Sequence, residues 1–351
     1  MKVLGIFRGF PGLGRVVAGV SLLEELRDRF GYSIKFISYL QGEKYLQMRG
    51  CIGLPVVTSA DYCSIGLLPT NRFAVYIFET IKSFNPDLIV IDGEPLILHS
   101  IKISFPDIKI VTLLNPSDVD NPSNDKEAME YFNELYAMAD MAIVHGLRRI
   151  CTPLGYQNFH SINTIVRHDI LNLQTNPRNE IYCILGGGTI NVGSQFEATT
   201  LDLAQLTLDI APHFPLFSFH IVSASSNIYD AVIKQNRPPN VVIHNGLLYA
   251  EECYSRAALV ITRAGRNTTS ELMVLGIPAV IFVAGDKYRI VEQTQNISEL
   301  HCSSLIPITP NSSSTNVIRI IENLISLPKE KGNFMPGNES AITCCVNLLT
   351  K

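Results

Sequence analysis

Short apolar runs recur along the chain, each closed by a glycine or polar residue and followed by a stretch with apolar positions three and four apart. A continuous β-branched run of five or six residues reads as a strand buried on both faces, and the following spacing reads as a helix. In the first half this predicts strands over residues 2–7, 33–39, 86–92, 108–114 and 141–145, with helices over 16–30 and 125–139. The pattern then restarts. Strands are predicted over 180–185, 217–222, 241–243, 259–262 and 279–283, and helices over 197–210, 268–275, from 293 to 300, 317–327 and 340–349. Strands alternating with helices imply βαβ units and a parallel sheet, here written twice.

The seam is expected in the polar stretch 166–178, which contains Pro177. The expected organisation is an N-terminal domain over 1–165, the linker 166–178, a C-terminal domain over 179–337, and a last helix over 338–351 returning to the first domain. Length agrees with two domains, since 351 residues exceed the roughly 100–200 of one.

Composition removes several function classes. The hydrophobic set reaches 46% and charged residues only 17%, with a mean hydropathy of +0.19. That excludes a disordered chain. The longest nearly apolar run, 275–285, holds Pro278 and falls far short of the roughly 20 residues of a spanning helix. The apolar content therefore belongs in covered sheets. A net charge of −4 gives no general attraction to nucleic acid. A peripheral membrane contact is open but has no support in the residues. Eight cysteines without CxxC spacing suggest neither a zinc site nor a disulfide framework, so a reducing, cytoplasmic setting is expected.

Four motifs carry candidate chemistry. Gly9, Gly12 and Gly14 follow the first strand and open the first helix, where glycines admit a ligand or another backbone. No acidic residue closes the second strand, which argues against a dinucleotide there. Gly186, Gly187, Gly188 and Thr189 hold the equivalent place in the second half, with backbone N–H groups suited to a diphosphate. The third motif runs from Arg263 through Gly265, Thr268 and Glu271 to Gly276 and Pro278. Thr268 as N-cap with Glu271 three residues on would form a capping box. Alternatively the loop faces phosphate and Glu271 accepts from a ribose. The fourth, Glu292-Gln293 with Asn296, supplies donors and acceptors for sugar hydroxyls.

In order and spacing, Ala264, Gly265, Thr268, Glu271, Gly276 and Pro278, with Glu292, Gln293 and Asn296, resemble the C-terminal domain of the family 28 glycosyltransferases. The resemblance covers about residues 180–300 and is thin before them. It implies a GT-B fold: two Rossmann-like, doubly wound α/β domains facing a cleft, donor on the second and acceptor on the first. Carried over residue by residue, Glu271 would hold the ribose and Gly187, Gly188 and Thr189 the diphosphate. Leu247 would meet the base through its backbone, and Glu292 and Gln293 would hold the donor sugar. Arg263 and Gly265 lie at the loop entrance beside Thr268, and Arg266 would touch phosphate or be solvated.

The family's first loop often ends in histidine, where this chain has Arg15, which cannot be a base at neutral pH. Arg15 could add charge near the phosphates or anchor an anionic acceptor. Asp92 and Glu94, expected beyond a buried strand, are the candidate bases, since a carboxylate in a partly dry site can be tuned for proton transfer. The plain alternative is that one caps the next helix and the other binds Arg15. His145 is the next candidate, although a lone histidine at a strand end is more often a surface residue. Asp118 and Asp120 are read as loop acidity rather than a metal motif, and no metal or cofactor is expected. The expected activity is metal-independent, inverting transfer from a UDP-sugar to a small-molecule or lipid-linked acceptor. A nucleotide-sugar hydrolase and a non-catalytic sugar-nucleotide binding subunit are the rivals.

Overall fold

The structure is a computed structural model, which describes residues 1–9, 12–39, 41–51, 71–153, 155–186, 193–223, 226–246, 248–284, 287–298, 302–327 and 333–350. The chain divides into two compact units, Met1–His168 with Pro336–Lys351, and Asp169–Met335.

In the first unit, β1 (Lys2–Phe7), α1 (Gly14–Phe30), β2 (Ser33–Ile37) and α2 (Gln41–Met48) are followed by α3 (Asn71–Phe84), β3 (Leu88–Asp92) and α4 (Pro95–Ser104). Then come β4 (Lys109–Leu114), the one-turn α5 (Pro116–Val119), α6 (Lys126–Ala137), β5 (Met141–Gly146) and β6 (Phe159–Asn163). All six strands are parallel, in the order β2-β1-β3-β4-β5-β6. Alternate residues feed opposite faces. Val3, Phe7, Leu88 and Val90 pack with Val16, Val20 and Leu23 of α1. Leu4, Ile6, Ile89 and Ile91 pack with Ile77, Ile81, Ile97 and Leu98. A sheet covered on both faces explains why these strands read as unbroken apolar runs.

In the second unit, β7 (Glu180–Ile184), α7 (Gly193–Ile210), β8 (Ser218–Ser223), α8 (Ser226–Ile233), β9 (Val241–Asn245) and α9 (Ala250–Arg256) precede β10 (Ala257–Arg263) and α10 (Arg266–Leu275). β11 (Ala279–Phe282), α11 (Lys287–Ser298), β12 (Leu305–Ile308) and α12 (Ser314–Ser326) complete it. The order is β12-β11-β10-β7-β8-β9, again all parallel. Both units are therefore doubly wound. The strand order reverses between β1 and β3 in the first and between β7 and β10 in the second, and ligands of such sheets bind beyond the strand ends at those points.

The stretch expected as a linker is tied down at both ends. Val166 gives its N–H to the Asn338 side chain at 3.0 Å and accepts from Ser21 Oγ at 2.6 Å. The backbone N–H groups of Asn176 and Arg178 bond Ser255 and Arg256 at 2.7 Å each. The last helix, α13 (Asn338–Thr350), buries Ala341, Ile342 and Cys345 in the α1 face of the first unit. No helix among the described residues is long and apolar enough to cross a membrane.

Candidate functional site

At the β1/β3 switch point the sequence places two arginines opposite two carboxylates. Arg8 follows β1, and its backbone N–H bonds the Asp92 carbonyl at 2.9 Å. Asp92 ends β3, is 1% exposed, and accepts from Arg15 Nη1 at 2.6 Å. Arg15 Nη2 reaches both oxygens of Asp118, at 2.8 and 2.9 Å. Glu94 accepts from Arg8 Nε at 3.3 Å and from the Tyr39 hydroxyl. It occupies the N-cap position of α4 without a side-chain capping bond. Gly93 between the two carboxylates has φ +86°, and a Cβ there would meet Arg15 Cδ at 2.7 Å and Arg8 Cβ at 2.9 Å. Only glycine gives this turn while both guanidinium stems pass.

Electrostatics hold the arrangement charged. Burial works against the Arg15 guanidinium, but Asp118 and Asp92 outweigh it and lift its pKa well above the ordinary value. Burial, then the neighbouring Glu94, raises Tyr39 well above the usual phenol range, so its hydroxyl stays a donor. Burial and Asp118 likewise raise Tyr136.

Several expectations change here. Asp118 is not simply loop acidity: it closes a capping box with Asn115 and is 11% exposed within the Arg15 pair. Asp120 pairs separately with Arg148 at 2.8 Å. His145 is not at the surface. It is fully buried, and its Nδ1 accepts the Ile165 N–H at 3.2 Å. Of the first-loop glycines, Gly9 is approached by backbone, with a Cβ reaching Tyr39 O at 1.8 Å, whereas a Cβ on Gly12 would meet no described residue within 4 Å. Gly14 is exposed at the start of α1. Arg8 and Tyr39 were not singled out from sequence; their place just beyond β1 and β2 is the signal that identifies them.

In the second unit, Gly187, Gly188, Thr189 and Leu247 lie outside the described residues. The third motif starts differently from the expectation. Gly265, not Thr268, is the N-cap of α10, with no side-chain cap bond, so Thr268 lies inside the first turn and no capping box forms. The cause is a tightly held loop. Ala264 gives its N–H to Phe282 O at 3.3 Å, and its carbonyl accepts from Asn296 Nδ2 at 3.2 Å. The chain is thus positioned for helix as soon as Gly265 is reached. Gly265 is exposed, and among the described residues a Cβ on it would meet nothing nearer than Arg263 O at 4.0 Å. Arg263, ending β10, and Thr268 are half-buried.

Glu271 is fully buried and accepts from the Tyr254 hydroxyl at 3.2 Å. Arg266 is not solvated: it is 7% exposed, its Nε 3.1 Å from Asn267 Oδ1. The fourth motif does more than open a helix. Gln293 is buried, its Oε1 accepting the Ala284 N–H at 3.1 Å and its Nε2 donating to the Ala284 carbonyl at 2.7 Å. Through Gln293 and Asn296, α11 fixes the loops after β11 and β10 together. Glu292 is half-buried on the same helix.

Residues 192–327 match the family model for the glycosyltransferase family 28 C-terminal domain. The fold is shared with Arabidopsis thaliana UGT89C1 complexed with UDP, at 13% identity and a TM-score of 0.66, each chain covered over 100%. UDP-GlcNAc 2-epimerase from Neisseria meningitidis bound to UDP-GlcNAc gives 14% identity and 0.64, again over 100% of both chains. MurG from Acinetobacter baumannii gives 14% identity and 0.52, over 100% of this chain and 99% of that one. No curated protein sequence matches the chain. The chain is thus of the two-domain, Rossmann-like GT-B type and resembles family 28 in its C-terminal half.

Proposed function

We propose that the protein transfers a sugar from a nucleoside-diphosphate donor, a UDP-sugar, to an acceptor hydroxyl with inversion and without a metal. The observation that carries this reading is Gly265, the exposed N-cap of α10 at the β7/β10 switch point, where a Cβ would meet no described residue nearer than 4.0 Å. The positive end of the helix dipole there suits a leaving diphosphate. The family match over 192–327 supports it, as do the UDP and UDP-GlcNAc of the fold relatives.

In the proposed step the acceptor oxygen attacks the anomeric carbon and the bond to the diphosphate breaks, so UDP leaves with the electron pair. The acceptor proton passes to Glu94, the more accessible of the two carboxylates at 8% against 1% for Asp92. Tyr39 and Arg8 steady Glu94, while Asp92 orients Arg15. Donor contacts are assigned to Gly187, Gly188, Thr189, Leu247, Arg263, Gly265, Thr268, Glu271, Glu292 and Gln293. The held position of Gln293 makes its part the shaping of the loop at Ala284.

A second reading is favoured by one observation, the fold shared with UDP-GlcNAc 2-epimerases. Product analysis with a panel of UDP-sugars, with and without an acceptor library, separates the two. Acceptor-dependent UDP release with a glycosylated product is expected, abolished in Glu94→Gln. A C2-epimerised nucleotide sugar formed without acceptor, or hydrolysis at the same rate with and without acceptor, would overturn the transferase reading.

A further inference from the structure

The residues beyond β1 and β3 indicate what chemistry the acceptor must have, an inference that rests on the transferase reading. In this network Asp92, Glu94 and Asp118 pair with Arg8 and Arg15, three carboxylates with two guanidiniums. Each arginine is engaged by them, Arg15 at 2.6 Å to Asp92 and 2.8 Å to Asp118, and Arg8 at 3.3 Å to Glu94. An entering phosphate would have to displace those carboxylates and then sit among them. Like charges brought together in this way cost several kcal/mol. The two phenols beside the network do not alter the balance, since Tyr39 and Tyr136 are both held protonated.

A second observation points the same way without involving charge. Gln41, the first residue of α2, is 4% exposed, and its Oε1 has no hydrogen-bond donor among the described residues. It lies beside the same loop: a Cβ on its neighbour Gly42 would approach Gly9 Cα to 2.9 Å, and the Gly42 N–H bonds Tyr39 O at 3.0 Å. A buried amide oxygen left without a donor is costly, and a ligand hydroxyl or amine would relieve it.

We infer that this site takes an acceptor that donates hydrogen bonds, a polyol or amino sugar that is neutral or cationic, and rejects one carrying a phosphate. Arg15 is then a positioning residue, fixing Asp92 and Asp118 as acceptors rather than binding an anion itself.

The test is a matched pair of probes, glucosamine and glucose 6-phosphate, titrated by ligand-observed NMR with and without saturating UDP. Glucosamine is expected to bind at least about tenfold more tightly than glucose 6-phosphate, which corresponds to about 1.4 kcal/mol. Gln41→Met is expected to weaken glucosamine while leaving UDP affinity unchanged and the melting temperature no lower. Glucose 6-phosphate binding as tightly as glucosamine, or weakened by Arg15→Gln, would overturn the inference. So would failure of both sugars to bind. Loss of UDP binding alone would instead count against the transferase reading, because the sugar pair is also compared without UDP.

Discussion

Arg15 and Asp118, 103 positions apart in sequence, meet through one guanidinium nitrogen held between both carboxylate oxygens, at 2.8 and 2.9 Å. The other nitrogen of Arg15 holds Asp92 at 2.6 Å. Removing the guanidinium strands two poorly exposed carboxylates. Arg15→Ala is therefore expected to lower unfolding free energy by about 2–4 kcal/mol, somewhat under the fully buried case because Arg15 keeps some exposure. Arg15→Lys should recover less than half, since a point charge cannot serve two carboxylates in a fixed fork. Urea denaturation of the three proteins decides it. Equal stability of Arg15→Lys and the unsubstituted chain would contradict the account.

Gln293 makes the same kind of commitment in the second unit, with both ends of its amide on Ala284. Gln293→Leu leaves a backbone N–H and a carbonyl without their partner and should cost about 1–3 kcal/mol. Gln293→Glu keeps the acceptor but turns an oxygen toward the Ala284 carbonyl, so it should rescue little. Thermal denaturation measures both. A side chain whose only role was to touch donor sugar would leave the melting temperature of Gln293→Leu unchanged.

The alternating grammar of the two halves was legible because buried parallel strands, such as β3 with all five residues buried, read as unbroken apolar runs. Edges were not. β6 is Phe-His-Ser-Ile-Asn, half exposed, and β12 carries Pro307, a residue that only an edge or irregular position tolerates. The local signature at Thr268 and Glu271 was misleading because helix onset there follows from the hold on Ala264, which donates to the Phe282 carbonyl and accepts from Asn296, bonds that no local pattern encodes. The partners of Arg15 were half visible: Asp92 stood as an alternative from its strand-end position, while Asp118 needed the sheet to bring β1 and β4 loops together.

His220 and His244 hydrogen-bond through Nδ1 and Nε2 at 3.0 Å, with Tyr182 stacked on His220 at 4.8 Å. Burial lowers the pKa of both below the usual 6.5, and His244 and Arg256 lower His220 further against the opposing pull of Glu180. The unfolded chain therefore takes up protons first as pH falls. The pair's contribution is fully present above about pH 6.5 and lost as pH drops through the folded values. The melting temperature should fall on acidification below that point, and less steeply in His220→Gln. Parallel pH profiles for the two proteins, read by scanning fluorimetry, would count against this.

The most direct test of the donor assignment is a calorimetric titration of UDP into the unsubstituted protein and Gly265→Ala. Gly265 has φ −77°, which alanine adopts freely, and the added methyl would touch no described residue closer than 4.0 Å. Stability should therefore change by no more than about 0.5 kcal/mol. If the diphosphate sits at the head of α10, the methyl occupies its place, and UDP affinity should fall at least about tenfold. UDP binding of equal strength to both proteins would contradict the account.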